Sequence, residues 1–118
     1  MTEARAAPRV NEIAASLCHE GNLSMAAYVI AFAKVKDPAK LQEYAAVALQ
    51  TAVAAGGEIL ARGKVADILA GTMTAERCVI LKFESAAAAR DWYRSAEYQR
   101  LIPVRDQGMV ADFVLVEE

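Results

Sequence analysis

The sequence predicts an α+β fold in which helices cover one face of an antiparallel sheet. Three observations carry that prediction. β-patterned and helix-patterned stretches follow one another in the order β-α-β-β-α-β between Met25 and Glu118. Each helical stretch opens on a side chain able to accept from the free amides of a first turn, Asp37 before Pro38 and Ser85 before an alanine run. The first, third and last strands are apolar on both faces. Tyr28, Ile30 and Phe32 oppose Val29, Ala31 and Val35, and Val114 and Val116 oppose Phe113 and Leu115. Helices on one side cannot cover the other. A second copy of the same sheet is the economical cover, so a homodimer through the sheet faces is expected.

The elements follow in order. Residues 1–24 differ from the rest: "MTEARAAP" has no periodicity, and "RVNEIAASL" fits about two helical turns with Val10, Ile13 and Leu17 on one face. They read as an N-terminal extension dispensable for the fold, either an over-early start or an arm that docks on the dimer. The domain proper is set at 25–118. "MAAYVIAFAKV" alternates as a strand. Pro38 suits a first helical turn, where its missing N–H has no partner to lose. Leu41, Tyr44, Ala45, Ala48, Leu49 and Ala52 then recur at helical spacing until Gly56-Gly57 stops the helix. "EILARG" and "VADILAG" read as two short β runs, a tight hairpin or one long strand with a bulge. "RCVILKF" is the next strand, with Cys78 and Ile80 opposite Val79, Leu81 and Phe83. "AAAARDWY" follows as the second helix, and Ser95 caps a short third one, "AEYQRLI". Pro103 and Gly108 are expected to break the pattern before the last strand, "ADFVLVEE". The whole is the split βαβ, or ferredoxin-like, order. A right-handed crossover after the first strand leaves a gap that a later strand fills.

Composition narrows the function. The chain has 118 residues, one domain's worth, and a net charge of −2. With no basic face, nucleic acid is a poor partner. No apolar run is long enough to span a bilayer, and no signal-peptide core is visible. A cytoplasmic protein with Cys18 and Cys78 reduced is the expectation. Alanine accounts for 26 positions, which predicts a compact core rather than a bulky one.

"FESAAAARDWYRSAEYQ" resembles the pattern F-x-S-x-x-x-A-x-x-W-Y-x-S-x-E-Y-Q of family 1330 of the domains of unknown function. Phe83, Ser85, Ala89, Trp92, Tyr93, Ser95, Glu97, Tyr98 and Gln99 fall on it. "AYVIA" (27–31), "GGEILARG" (56–63) and Arg105 extend the resemblance over about Met25 to Glu118. It implies a dimeric α/β barrel, two ferredoxin-like protomers packed sheet to sheet. The superfamily includes cofactor-free monooxygenases, isomerases, haem-degrading enzymes, peroxidases and ligand sensors, so the fold names no reaction.

Few residues carry chemistry. His19 is the only histidine and lies before the domain, where it reads as a solvated tail residue. The domain therefore offers no histidine for haem or for general-base work, and no cluster for zinc. No cofactor and no metal are expected. Cys78, mid-strand, reads as an inert core thiol. Gly56-Gly57 lacks the spacing of a phosphate loop.

Arg62 is the most informative polar residue. It ends a strand beside Gly63, expected on the face opposite to Ile59 and Ala61, and presents a planar fork for a carboxylate or phosphate. The alternative is a salt bridge to Asp67, to Glu58 or across the dimer. Trp92 and Tyr93 are neighbours on a helix and diverge by about 100°, so they cannot face one pocket. Tyr98 and Arg105 follow, one of them expected in a cleft between helices and sheet. Arg90, Arg94 and Arg100 read as solvated surface. The catalytic residues, if any, are not named by the sequence. The expected site is a metal-free cleft for a small organic anion, with Arg62 as anchor and Tyr28, Trp92, Tyr93 and Arg105 around it. A cofactor-independent enzyme and a non-catalytic binding, sensing or structural dimer both fit. A cleft holding Arg62 and a tyrosine separates the ligand-binding readings from a filled, structural interior.

Overall fold

The computed structural model describes residues 26–118. Within them run β1 (Ala27–Val35), α1 (Pro38–Ala54), β2 (Glu58–Lys64), β3 (Arg77–Phe83), α2 (Ala86–Arg94), α3 (Ala96–Gln99), α4 (Ile102–Gly108) and β4 (Met109–Glu117). The strands form one antiparallel sheet in the order β2-β3-β1-β4, the order of a ferredoxin-like fold. The expected extension 1–24, with Cys18, His19 and the Val10, Ile13, Leu17 stripe, lies outside the described residues.

Local chemistry explains the helix starts. Asp37 is extended, and its carboxylate accepts from the amides of Ala39 at 3.0 Å and Lys40 at 3.3 Å. Ser85 Oγ accepts from Ala88 N at 3.0 Å. Ser95 Oγ accepts from Tyr98 N at 3.2 Å and donates to the carbonyl of Trp92 at 2.7 Å, so one hydroxyl closes α2 and opens α3. Past the end of α1, Gly56 takes φ 94, a backbone state that a side chain resists.

β1 is central, and its alternation divides the molecule. Val29 lies between Leu81 and Leu115, and Ala31 between Val79 and Phe113. These belong to the face that the helices cover. There Tyr44, Ala48 and Ala52 of α1 and Ala89 and Trp92 of α2 join Val29, Leu81 and Phe83 in one core. On the other face Ile30 lies between Ile80 and Val114, and Phe32 between Cys78 and Asp112. Among the described residues no helix covers that face. Val114 and Val116 are 45% and 42% exposed there, and Val110 is 63% exposed.

Three expectations change. "VADILAG" is not a strand: pairing between β2 and β3 stops at Lys64 and Arg77, and Leu69 beyond it is 95% exposed. An alternating run gains nothing where no neighbouring strand or buried face receives it. The bulge falls inside β2 instead, between Ile59 and Ala61. The stretch 102–108 is helical, with Pro103 in its first turn, where a proline removes no hydrogen bond. Gly108 is the end of that helix. Its carbonyl accepts from the amides of Lys36 and Asp37 at 2.8 and 3.1 Å, and a Cβ there would stand 2.6 Å from the backbone nitrogen of Leu41. The glycine thus lets α4 touch the start of α1.

Candidate functional site

Between α1 and the covered face of the sheet lies a cavity of about 540 Å³. Its walls explain its existence. Ala31 and Ala33 of β1 face Ala45 and Ala48 of α1 across it. Methyl groups on both sides leave space that leucines would fill. Alanine therefore opens the interior here, where composition had predicted a compact core. Small-molecule sites commonly measure about 300–1,000 Å³, whereas packed interiors hold few voids larger than a water.

Two arginines reach this cavity. Arg62 does so because of the bulge. Regular alternation would set it opposite to Ile59, but Ile59 pairs with Leu81 and Arg62 with Val79, so both take the helix side, with Ala61 and the unpaired Leu60 between them. Arg77 shares that side, since it pairs with Ala33 of β1. Neither arginine forms an ion pair among the described residues, so the expected bridge from Arg62 to Asp67 or Glu58 is not made within the protomer.

Trp92 forms part of the wall, with 3% exposure. Its Nε1 donates to Thr51 Oγ1 at 3.0 Å, and Thr51 in turn donates to the carbonyl of Ala48 at 2.7 Å. Tyr93 diverges from it, as helical geometry requires. It borders a smaller hollow of about 310 Å³ with Phe113 and Leu115. Tyr28 lies on the uncovered face, where its hydroxyl donates to Glu118 at 3.1 Å, and it does not reach the cavity. Arg105 lines neither hollow. Its Nη1 donates to the hydroxyls of Tyr93 at 3.1 Å and Tyr98 at 3.2 Å, its Nε donates to Asp106 at 3.1 Å, and its guanidinium lies 5.1 Å from the centre of the Phe113 ring. Of the five residues expected around a site, Arg62 and Trp92 share the cavity.

Sequence reasoning missed Tyr44 and Arg77 as wall residues. The alternation Val79, Leu81, Phe83 extended back by one step gives Arg77, so that signal was present. Tyr44 was visible as a core position of α1 but not as a polar one. Its hydroxyl lies 2.6 Å from that of Tyr98. Burial pushes the Tyr44 hydroxyl far above the ordinary tyrosine range, and Tyr98 beside it adds to the rise. Burial also raises Tyr98, and its hydrogen bonds with Tyr44 and Arg105 take back part of that rise. Burial works against the charge of Arg105, but the bonds to Tyr93 and Tyr98 outweigh it and raise its value. The trio is therefore two neutral phenols beside a permanent cation. Cys78 is half-buried, and burial lifts its thiol above the usual value, away from a reactive thiolate. Among the described residues no three His, Cys, Asp or Glu side chains gather where they could hold a metal ion, and no helix is long and apolar enough to cross a membrane.

A family model described as "Domain of unknown function (DUF1330)" matches residues 26–118. No curated protein matches the chain. Among solved structures, a protein of unknown function from Rhodopseudomonas palustris is similar at 13% identity, covering 95% of each chain with a TM-score of 0.68. SnoaB, a cofactor-independent oxygenase from Streptomyces nogalater, is similar at 11% identity over 78% of this chain and 90% of its own, with a TM-score of 0.57. A dimeric ferredoxin-like protein of unknown function from Thermobifida fusca is similar at 14% identity over 81% and 92%, with a TM-score of 0.53. At these identities the likeness is one of fold.

Proposed function

We propose, from the premise that the chain belongs to the DUF1330 family, that it is a homodimer binding a small organic anion in the cleft between α1 and the sheet. One observation carries the reading: a cavity of about 540 Å³ with apolar walls and two arginines that lack ion-pair partners among the described residues. An arginine on an apolar wall favours an anion that can supply two parallel hydrogen bonds. The uncovered apolar face supports the dimer, since monomers rarely leave such a patch open. The dimeric Thermobifida fusca protein of like fold points the same way. Turnover without a cofactor is the finer reading, and SnoaB is one protein of this fold that works so. A binding or sensing dimer would use the same cavity, whereas a purely structural dimer would have no use for it.

Native mass spectrometry of the purified chain tests the proposal. The expected species is about twice the 12.7 kDa protomer mass and carries one small molecule per protomer, retained from the cell or taken up from a panel of aryl and alkyl carboxylates. Ala48→Leu, which fills the cavity from α1, should abolish uptake and leave the dimer. A dimer that takes up none of these anions, or an Ala48→Leu variant that still does, would overturn the reading.

A further inference from the structure

The hydrogen bonds of Tyr44, a residue of the cavity wall, bear on what an anion in the cavity would carry at its other end. The Tyr44 and Tyr98 hydroxyls share one hydrogen bond and own two protons. Tyr98 also accepts from Arg105. If Tyr44 donated to Tyr98, the proton of Tyr98 would be left over in a side chain with 0% exposure and no further acceptor among the described residues. A buried donor without a partner is costly. If Tyr98 donates to Tyr44, the spare proton belongs to Tyr44, which borders the cavity. The second arrangement also agrees with polarity: a hydroxyl that accepts from a cation becomes the better donor. The chain thus runs from Arg105 to Tyr98 to Tyr44, and Tyr44 is left with one O–H to give.

Of the other polar groups on the wall, Gln42 lies at the exposed side and Trp92 is spent. Trp92 donates to Thr51, and Thr51 to Ala48. Arg62 and Arg77 stand on adjacent strands as diagonal neighbours, Arg77 two residues from Val79, the partner of Arg62, so sheet geometry brings their Cβ atoms to within about 7–8 Å. That spacing lets two guanidinium groups meet one carboxylate. Between these stations the wall is Val79, Leu81, Trp92 and Phe113.

We propose that the cavity takes an oxo acid: a carboxylate held at Arg62 and Arg77, an apolar or aryl body along the sheet, and a carbonyl oxygen that accepts the spare proton of Tyr44. This rests on the cavity reading above and adds Tyr44 as a binding residue. The matched pair 4-oxo-4-phenylbutanoate and 4-phenylbutanoate tests it by calorimetric titration of the full chain. The oxo acid should bind about fivefold to tenfold tighter, the effect of one added hydrogen bond. Tyr44→Phe should bring the ratio of the two affinities to about one, whatever it does to their absolute values. With a carbon-13 label at the ketone, the bound carbonyl resonance of the unmutated protein should move downfield, a readout that does not depend on the variant folding. Equal affinities for the two acids, a preference that survives Tyr44→Phe, or an unshifted carbonyl would overturn the role of Tyr44 while the cavity reading stands. If neither acid binds, both fall.

Discussion

Tyr98 is fully buried, and its hydroxyl stands between the Tyr44 hydroxyl at 2.6 Å and Arg105 at 3.2 Å. Removing that one oxygen leaves the Tyr44 hydroxyl without its buried partner and Arg105 with one acceptor fewer. Tyr98→Phe should therefore destabilise the protein by about 1–3 kcal/mol in denaturant unfolding at fixed protein concentration. No loss would mean that the network contributes nothing to the fold. Tyr98 and Arg105 were visible in the sequence as part of a family pattern, and one of them was expected in the cleft, which neither lines. Their roles come from a contact between α3, the last turn of α4 and the interior of α1, which spacing along the chain does not encode. Arg62 was legible as an arginine near a strand end and as a cleft residue, but was counted opposite to Ile59, whose side it shares. Leu60 carries no signature of a bulge, so alternation counted through it inverts the parity of everything after.

Elements were easier to read where their ends have local chemistry. Asp37, Ser85 and Ser95 each accept from an amide as their positions before a helical run required. The six apolar positions read on α1 are the ones it turns toward the core. α4 escaped because Pro103 looks like a stop unless its place within the helix is known. Gly108 looked like a second stop and is a contact. Its missing side chain lets α4 meet the backbone of Leu41 and Lys40. Gly108→Ala should cost about 1–3 kcal/mol, because backbone and not a flexible side chain must move. A melting temperature equal to that of the parent would show that α1 yields without strain.

At the scale of the molecule, one sheet serves two surfaces. Its covered face holds the cavity, and its bare face carries Ile30, Ile80, Val114 and Val116 in register across three strands. A carboxylate placed in the middle of that apolar face would be buried unpaired in a sheet-to-sheet dimer. Val114→Asp should shift sedimentation from about twice the 12.7 kDa protomer mass toward one, or cause precipitation. A parent protein that sediments as a clean monomer would refute the dimer. The bulge in β2 decides which of the two surfaces an arginine serves, and this has a consequence for the gene. Two residues of β2 stand where β3 offers one position, so one codon is slack. Loss of the codon for Leu60 would join Ile59 to Ala61 in plain alternation and keep Arg62 turned to the cavity. A relative one residue shorter at this point thus conserves the site without the bulge, and its alignment to this chain needs a gap at Leu60 for the two arginines to coincide.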